Sequence, residues 1–387
     1  MARTRTKAAS KTTGDAAARG TKKRKTVGGV ETKLVGMADV VIAAAQRSKD
    51  PAFAIPIRAL SNVSFNTRKG MIEMGGRKQE RTFFNVGMAK KFMQTMLVAD
   101  ALAELQRADL TTSLREIYYR TKHTIKNSSE NTFDTQDESD PIIEDLEVSL
   151  AELREELHVR AENGGSIVGP VVFGDDGDRV DCSRLGKGGY SVPSIVEPEY
   201  LDIQKCTADF LLLVEKGTQW NRLSEDKFWK KYNCILTHGG GQPPRGVRRM
   251  LHRLHEELKL PVYCLLDNDP WGYYIYSVLK QGSINLAYES RRMAIPNARF
   301  LGLRSSDYER CQLKPSVQIK LNDQDIKRAR QIAQYPWFAH KKPWQKEIEM
   351  MLTNGFKLEV EALISKDISY VTEEYVPTRL EEDTFLD

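Results

Sequence analysis

The sequence predicts an α+β, multidomain fold in which a helical domain precedes an α/β domain with a parallel sheet. At 387 residues, the chain is longer than one ordinary hydrophobic core supports. Helical periodicity dominates the first half and ends in a hairpin pattern, whereas short apolar runs alternate with helices in the second half. We expect a basic, largely disordered arm and lead-in over residues 1–64, a helical domain over 65–200, and the α/β domain with a C-terminal extension over 201–387.

The first 25 residues form a strongly basic segment. They carry nine Lys or Arg side chains against the single Asp15, although the whole chain has a net charge of only +5. This composition predicts a disordered arm that can bind DNA electrostatically. The arm lacks the apolar region of a secretory signal, while its Arg and Ala content is also found in transit peptides. No apolar run approaches the length of a membrane span, so no membrane partner is expected.

Three helices and a hairpin are predicted between residues 88 and 182. The first helix, Met88–Leu105, carries its core positions at helical spacing, and these are Met88, Phe92, Met96, Ala99 and Ala103. The segment 127–147 has eight acidic residues and no basic one, which predicts a solvated loop leading into a helix over Ile142–Leu157. Apolar runs at 167–173 and 179–182 flank Gly174–Gly177 and predict a hairpin. This order is expected of a winged helix, with residues 191–200 as the linker that follows.

The second predicted helix, Ser113–His123, carries two adjacent tyrosines on different faces. Its mostly apolar stripe consists of Leu114, Ile117, Tyr118, Thr121 and Ile125. A second, basic stripe is offset by one residue and consists of Arg115, Tyr119, Lys122 and Lys126. Tyr118 is therefore expected in the core and Tyr119 at the surface, where the cations could contact nucleic-acid phosphates. An ordinary amphipathic helix with an exposed tyrosine has the same pattern.

An exposed tyrosine beside phosphates has a specific chemical use. The phenol has a pKa of about 10 and is a poor nucleophile until cations stabilise the phenolate and the developing charge on phosphorus. Arg115, one turn before Tyr119, is placed for part of this role. Attack on a phosphodiester would give a phosphotyrosyl enzyme that keeps the energy of the broken bond, so the break could be resealed.

The second half of the chain predicts a doubly wound parallel sheet. The expected elements in order are strand 210–214, helix 224–232, strand 234–237, helix 245–258, strand 262–266 and helix 272–280. The helix over residues 245–258 carries four arginines that form a basic patch, and these are Arg245, Arg248, Arg249 and Arg253. This patch is consistent with a DNA contact and equally with a solvated helix face.

Carboxylates follow two of the predicted strands directly. Glu215 follows the first strand, and Asp267 and Asp269 follow the third. Residues beyond the carboxyl ends of parallel strands line the ligand crevice, so these side chains can converge. Clustered carboxylate oxygens suit Mg²⁺, which usually keeps waters to share with a phosphate. The alternative is that each residue caps a helix, as Asp269 before Pro270 suggests, but agreement between two strand ends favours the metal site.

The five cysteines, at positions 182, 206, 234, 264 and 311, are odd in number and lack zinc-site spacing. We expect reduced, mostly buried thiols.

Several sequence blocks resemble a known family. The A subunit of archaeal DNA topoisomerase VI, a relative of the meiotic double-strand-break protein, is similar to this chain over roughly residues 65–387. The blocks that carry the resemblance, in order, are Arg115-Glu-Ile-Tyr-Tyr119, Val214-Glu-Lys-Gly217, Gln242-Pro-Pro-Arg245 and Asp267-Asn-Asp-Pro-Trp-Gly-Tyr-Tyr-Ile-Tyr-Ser277. The resemblance implies a winged-helix DNA-binding domain with Tyr119 as nucleophile. It also implies a Toprim domain that binds Mg²⁺ through Glu215, Asp267 and Asp269.

The same resemblance implies a function and partners. The chain would be the catalytic component of an ATP-dependent type II DNA topoisomerase that breaks and reseals double-stranded DNA. It would act as a homodimer within an A₂B₂ heterotetramer, with a GHKL-type ATPase as the second component, in the archaeal cytoplasm or in a eukaryotic nucleus. The alternatives are a meiotic-type protein that cuts without resealing and a non-catalytic DNA-binding protein.

One loop departs from the family pattern. Archaeal relatives commonly have a basic residue between the glycines before Gln-Pro, whereas this chain has Thr237-His-Gly-Gly-Gly-Gln242. A phosphate-binding role for the loop therefore does not follow from the resemblance, and a glycine-rich turn between strand and helix explains the sequence as well. No Gly-Lys-Ser/Thr follows, so the loop is not a nucleotide-binding P-loop.

Overall fold

The computed structural model describes residues 28–161 and 163–387, and the predicted basic arm lies outside them. The first elements are α1 (Gly28–Gln46), β1 (Ala52–Pro56), β2 (Val63–Asn66), β3 (Met71–Met74) and β4 (Lys78–Thr82). β1 pairs with β4 and β2 with β3, both antiparallel. Leu34 of α1 and Ile55 of β1 are buried in apolar clusters. Burial of these side chains orders the lead-in, so regular structure begins well before residue 65.

A helical layer follows. Its elements are α2 (Val86–Ala108), β5 (Thr112–Ser113), α3 (Leu114–Thr121), α4 (Gln136–Leu150) and β6 (Val159–Arg160). Phe92, Ala99 and Ala103 of α2 are buried as predicted. Met88 is 38% exposed, against the prediction, because it lies in the first turn, where the helix leaves the core.

The structure corrects the prediction for the acidic segment. α4 begins at Gln136, with Asp137 and Glu138 in its first turn, where carboxylates interact favourably with the positive end of the helix dipole. It ends at Leu150, and Ala151 then adopts a left-handed conformation with φ 53°. Much of the predicted solvated loop is therefore helix, and the helix does not extend to residue 157.

The next strands belong to two different sheets. They are β7 (Ser166–Val168), β8 (Val171–Asp175), β9 (Asp178–Asp181), β10 (Tyr190–Ser191) and β11 (Leu201–Cys206). The predicted hairpin is present as β8–β9, and its turn residues Asp176 and Gly177 both have positive φ, at 47° and 93°. The run at 167–173 is two strands, because Gly169 (φ 143°) and Pro170 separate β7 from β8. β8 and β9 form a three-stranded sheet with β11, whereas β7 and β10 join the large sheet.

The α/β domain contains the predicted parallel sheet. Its elements are β12 (Phe210–Val214), α5 (Gly217–Glu225), α6 (Phe228–Lys231), β13 (Cys234–His238), α7 (Arg245–Leu258), β14 (Val262–Leu265), α8 (Pro270–Gln281), α9 (Ser290–Met293) and β15 (Arg299–Phe300). The sheet order is β10-β7-β13-β12-β14-β15. The four neighbouring strands β13, β12, β14 and β15 are parallel, and β7 is antiparallel to β13. The prediction of one helix over residues 224–232 is wrong. α5 starts at Gly217, and Lys227 (φ 52°) separates it from α6.

The C-terminal segment packs over this sheet. Its elements are α10 (Asp307–Arg310), β16 (Ile319–Lys320), α11 (Asp323–Ala333), α12 (Pro336–Ala339), α13 (Lys342–Asn354), β17 (Phe356–Lys357) and α14 (Val376–Glu381), which follows a π-helical turn over Val371–Tyr375. Trp344 packs on Tyr276 and Phe300 at ring distances of 5.4 and 5.0 Å. Backbone hydrogen bonds join Asn268 to Leu358 and so fix the segment after β17 beside the end of β14.

The five cysteines are free thiols and four of them are buried, as predicted. Within the described ranges, no helix is long and apolar enough to cross a membrane.

Candidate functional site

The two predicted strand ends meet. β12 and β14 are parallel neighbours in register, with Val214 opposite Leu265. The backbone N–H of Asp267 donates to Glu215 Oε2 at 2.9 Å. Glu215 and Asp267 are only 9% and 3% exposed. The topology of the sheet therefore brings together two buried carboxylates that are 52 residues apart in sequence.

Asp267 has two further partners. Its Oδ1 accepts from the backbone N–H of Val360 at 2.7 Å, and its Oδ2 lies 3.0 Å from Lys216 Nζ. The same ammonium lies 3.0 Å from Glu359 and 3.3 Å from Glu361. Sequence reasoning missed Lys216, although it lies within the Val214–Gly217 block. It also missed Glu359 and Glu361, which only the pairing of Asn268 with Leu358 brings to the site.

Asp269 is the N-cap of α8, as the alternative interpretation proposed. Its Oδ1 accepts from the Gly272 N–H at 2.5 Å, and Pro270 occupies the first helical turn. Its Oδ2 lies 4.0 Å from Lys357, which also pairs with Asp325 at 3.1 Å. The cap leaves one carboxylate oxygen of Asp269 facing the charged cluster.

The electrostatics of the cluster favour a bound cation. Burial raises the pKa of Glu215, and repulsion from Asp267 adds to the increase. Burial likewise raises the pKa values of Asp267 and Asp269. A divalent cation would relieve both the desolvation and the repulsion.

The donor atoms fit Mg²⁺ chemically. All are carboxylate oxygens, and Mg²⁺ is commonly held by one or two carboxylates together with waters and phosphate oxygens. In residues 28–161 and 163–387, no group of three or more His, Cys, Asp or Glu side chains is placed to hold a metal ion by itself. The close contact between Glu215 and Asp267 therefore suits an open, partly hydrated Mg²⁺ site better than a fully protein-ligated one.

The two tyrosines of α3 lie on different faces of the helix, as predicted. A capping box fixes the start of the helix, with Ser113 Oγ accepting from the Glu116 N–H at 3.2 Å and the Glu116 carboxylate accepting from the Ser113 N–H at 2.7 Å. Tyr118 is 7% exposed and its hydroxyl donates to the Asp134 carbonyl at 2.9 Å. Tyr119 is 61% exposed, and the Arg115 guanidinium carbon lies 5.9 Å from the centre of its ring.

The basic stripe is shorter than predicted. α3 ends at Thr121, so the helical spacing does not continue to Lys126. Lys122 is the C-cap, and its ammonium contacts the Tyr118 hydroxyl at 2.6 Å. Of the four predicted members of the stripe, Arg115 and Tyr119 remain on the outer face of the helix. Throughout the described part of the chain, no hydrogen bond or ion pair joins α3 to Glu215, Asp267 or Asp269.

The basic patch predicted on α7 is buried, so both of its interpretations are wrong. Arg245, Arg248 and Arg253 are 6%, 7% and 2% exposed. α7 is covered by residues of other elements, and most of its arginines have partners there. These pairs are Arg245 with Glu147, Glu155 and Glu289, Arg249 with Glu197, and Arg253 with the carbonyls of Val196 and Leu201. Arg253 also pairs with Glu257 of α7 itself. Arg245 therefore joins the helical layer to the α/β domain, because Glu147 lies in α4.

The glycine-rich loop after β13 contacts the backbone of Glu215. The Gly241 N–H donates to the Glu215 carbonyl at 2.9 Å, and Gly240 and Gly241 have φ values of 69° and 108°. Such φ values favour glycine. The loop is thus a turn between β13 and α7, as one of its two interpretations proposed.

Comparison with known proteins agrees with this architecture. Family profiles match residues 90–159 (described as "Type IIB DNA topoisomerase"), 161–207 ("All-beta domain in DNA topoisomerase VI alpha subunit") and 210–380 (described as the Toprim domain shared by the topoisomerase 6 A chain and Spo11). The β8–β9 hairpin, which the sequence assigned to a winged helix, falls within the all-β profile.

Curated relatives match most of the chain. It is 40% identical to the A chain of the type 2 DNA topoisomerase 6 of Pyrococcus horikoshii, over 92% of this chain and 94% of the relative. Identity is 39% with the protein of the same name from Aeropyrum pernix, over 88% and 91% of the two chains. It is 34% with the A3 chain of the DNA topoisomerase 6 of Oryza sativa subsp. indica, over 87% and 74%. Because both the profiles and the relatives extend over most of its length, the chain belongs to the A-subunit family of DNA topoisomerase 6, the type IIB DNA topoisomerases.

Proposed function

We propose that this chain is the DNA-cleaving component of a type IIB topoisomerase, with Tyr119 as nucleophile and Glu215, Asp267 and Asp269 as its Mg²⁺ site. The observation that carries the proposal is the contact between Glu215 and Asp267, two buried carboxylates at the ends of neighbouring parallel strands. Within a family of DNA-cleaving enzymes, such a pair is best explained as a metal site that acts on phosphates.

The exposed position of Tyr119 suits attack on DNA. Its oxygen would form a bond to a backbone phosphorus while the bond from that phosphorus to a deoxyribose oxygen breaks, and the phenol proton would pass through solvent to the released deoxyribose oxygen. Arg115, on the same face of α3, would stabilise the charge that develops on the phosphate oxygens. Mg²⁺, when bound, supplies further positive charge at the phosphate. Attack by the released hydroxyl on the phosphotyrosyl bond would reseal the strand.

Further parts of the proposal concern architecture and partners. We propose that the helical layer around α2 to α4 is the core of a winged-helix domain that presents Tyr119 to double-stranded DNA. The relatives are named as A subunits, and we propose a homodimer of this chain that works with a GHKL-type ATPase as the B subunit. ATP would be bound by that partner. The protein would act where the DNA is, on the nucleoid or in a nucleus.

The adjacent tyrosines provide a matched test. Tyr119→Phe should fold, bind DNA and form no covalent adduct when the chain and its ATPase partner are trapped on labelled DNA with denaturant. Tyr118→Phe removes a hydroxyl that donates to the Asp134 carbonyl, so it should lower stability and still form the adduct. A persistent adduct in the Tyr119→Phe protein contradicts the assignment. Relaxation of supercoiled DNA by the wild-type complex distinguishes resealing from cutting alone.

A further inference from the structure

One ammonium group lies among the carboxylates at the strand ends. Lys216 Nζ is 3.0 Å from Asp267 Oδ2, 3.0 Å from Glu359 Oε2 and 3.3 Å from Glu361 Oε2. The Asp267 side chain is 4% exposed, whereas those of Glu359 and Glu361 are 44% and 32% exposed. The lysine is therefore shared between one buried carboxylate and two accessible ones.

We propose that Lys216 is the protein's own cation at this site and that it competes with Mg²⁺ for Asp267. The inference rests on the proposed function, because it takes Glu215 and Asp267 as metal ligands. Lys216 would be a positioning residue that sets the metal affinity of the carboxylates, without itself touching the reacting atoms.

The contacts of Asp267 indicate where the competition occurs. Its Oδ1 accepts from the Val360 N–H at 2.7 Å, while its Oδ2 is the oxygen nearest the ammonium. A divalent cation that uses Oδ2 and the neighbouring Glu215 would therefore repel Lys216 at short range.

Glu359 and Glu361 provide an alternative position for the displaced ammonium. Both already contact Lys216, and Glu361 is also held by the Thr218 hydroxyl at 3.0 Å. The flexible four-carbon stem of lysine allows the ammonium to move between partners without a change in the backbone. Release of Asp267 would thus leave Lys216 paired rather than isolated.

The test measures metal binding by the full-length chain without DNA or ATPase partner. Mn²⁺ serves as the probe, and free Mn²⁺ is counted by electron paramagnetic resonance. Lys216→Met should bind Mn²⁺ about tenfold more tightly, since one like charge at this range shifts an ionic equilibrium by roughly one logarithmic unit or more. Lys216→Arg, which keeps the charge, should stay close to wild type.

Lys357 offers the matched control. It is a cation of the same cluster, but it pairs with Asp325 at 3.1 Å and lies 4.0 Å from Asp269. Lys357→Met removes the same charge without freeing Asp267, so its effect on affinity should be clearly smaller. An equal effect in the two variants, or unchanged or weaker binding by Lys216→Met, overturns the proposal.

Two further measurements keep the outcome decisive. If Lys216→Met is unstable without metal, Mn²⁺ should raise its Tm more than that of wild type, and an equal or smaller rise contradicts the proposal. Glu215→Gln tests the premise. If Glu215→Gln loses Mn²⁺ binding but Lys216→Met has no effect on it, the role of the lysine alone is refuted. If Mn²⁺ binding survives in both Glu215→Gln and Asp267→Asn, the proposed metal site is refuted, and the lysine role with it.

Discussion

Replacing Arg245 with methionine should destabilise the protein strongly and leave its DNA affinity intact. The guanidinium contacts Glu155 at 3.2 Å and Glu147 at 3.3 Å, and it also contacts Glu289. The side chains of Arg245, Glu147 and Glu289 are 5%, 0% and 1% exposed. Removing one partner of a buried ion pair typically costs about 3–5 kcal/mol, because the remaining charge is buried without compensation. We expect the free energy of unfolding to fall by an amount in that range. The loss reaches the upper end only if Arg154 and Arg292 do not neutralise the carboxylates that Arg245→Met leaves unpaired.

The tryptophans allow the two parts of the protein to be followed separately. All five lie between residues 220 and 344, so their fluorescence reports on the α/β domain, whereas far-ultraviolet circular dichroism reports on the whole chain. Glu147 belongs to α4 and Arg245 to α7, so Arg245→Met should shift both urea transitions and separate them, with the helical layer unfolding first.

Lys231→Met provides the control, because the ion pair of Lys231 with Glu373 lies on the surface and should contribute little. Equal midpoints for Arg245→Met and Lys231→Met would refute the conclusion that the buried ion pairs join the two parts. Loss of DNA affinity in an Arg245→Met protein that is still folded would instead support a direct DNA contact.

Three further predictions concern the site and its surroundings. Glu215→Gln, Asp267→Asn or Asp269→Asn should abolish Mg²⁺-dependent cleavage, and wild-type rates with an unchanged Mg²⁺ titration in all three would make these residues helix caps only. If each tyrosine reaches the metal site of the other protomer, a heterodimer of a Tyr119→Phe chain with a Glu215→Gln chain keeps one intact site. It should nick one DNA strand in the presence of the ATPase partner. If it does not nick, while a heterodimer of wild type with the double mutant does, each site lies within one chain. Burial lowers the pKa of His252, whose Nδ1 lies 2.8 Å from a backbone carbonyl, so stability from this residue is present above pH 6.5 and is lost as the pH falls. His252→Gln should flatten the decrease in urea midpoint below that pH, and an unchanged slope would refute the assignment.

Local patterns predicted the parts of the site that depend on one element or on adjacent parallel strands. Helical spacing predicted that Tyr118 is buried and Tyr119 exposed, because residues three or four apart share one face of a helix and adjacent residues do not. The strand ends predicted that Glu215 and Asp267 would meet, because parallel strands carry their carboxyl ends to one edge. The same spacing failed for Lys122 and Lys126, because it contains no information on where a short helix ends.

Charge patterns were misread where the compensating charges lie far away in sequence. Arg245 looks like a surface cation and Glu147 like part of a solvated acidic loop, yet they pair across 98 residues. A charge in one sequence window does not show which charge from a distant part of the sequence lies beside it in the fold. Lys216 and Glu361 were missed for the same reason, since 145 residues separate them.

The two charge clusters differ in their balance of positive and negative side chains, and this difference supports the proposal of a metal site at the strand ends. Around Arg245, the carboxylates of Glu147, Glu155 and Glu289 are matched by guanidinium groups, which is expected of ion pairs that stabilise a fold. At the strand ends, Lys216 and Lys357 are the only cations among the described residues that form ion pairs with the five carboxylates of Asp267, Asp269, Asp325, Glu359 and Glu361. Glu215, which accepts from the Asp267 N–H, is a sixth carboxylate without an ion pair in the described residues. Burial of negative charge on Glu215 and Asp267 is unfavourable, and a bound cation would relieve it. The first cluster is therefore balanced by its own guanidinium groups, whereas the excess of carboxylates in the second supports the proposed Mg²⁺ site.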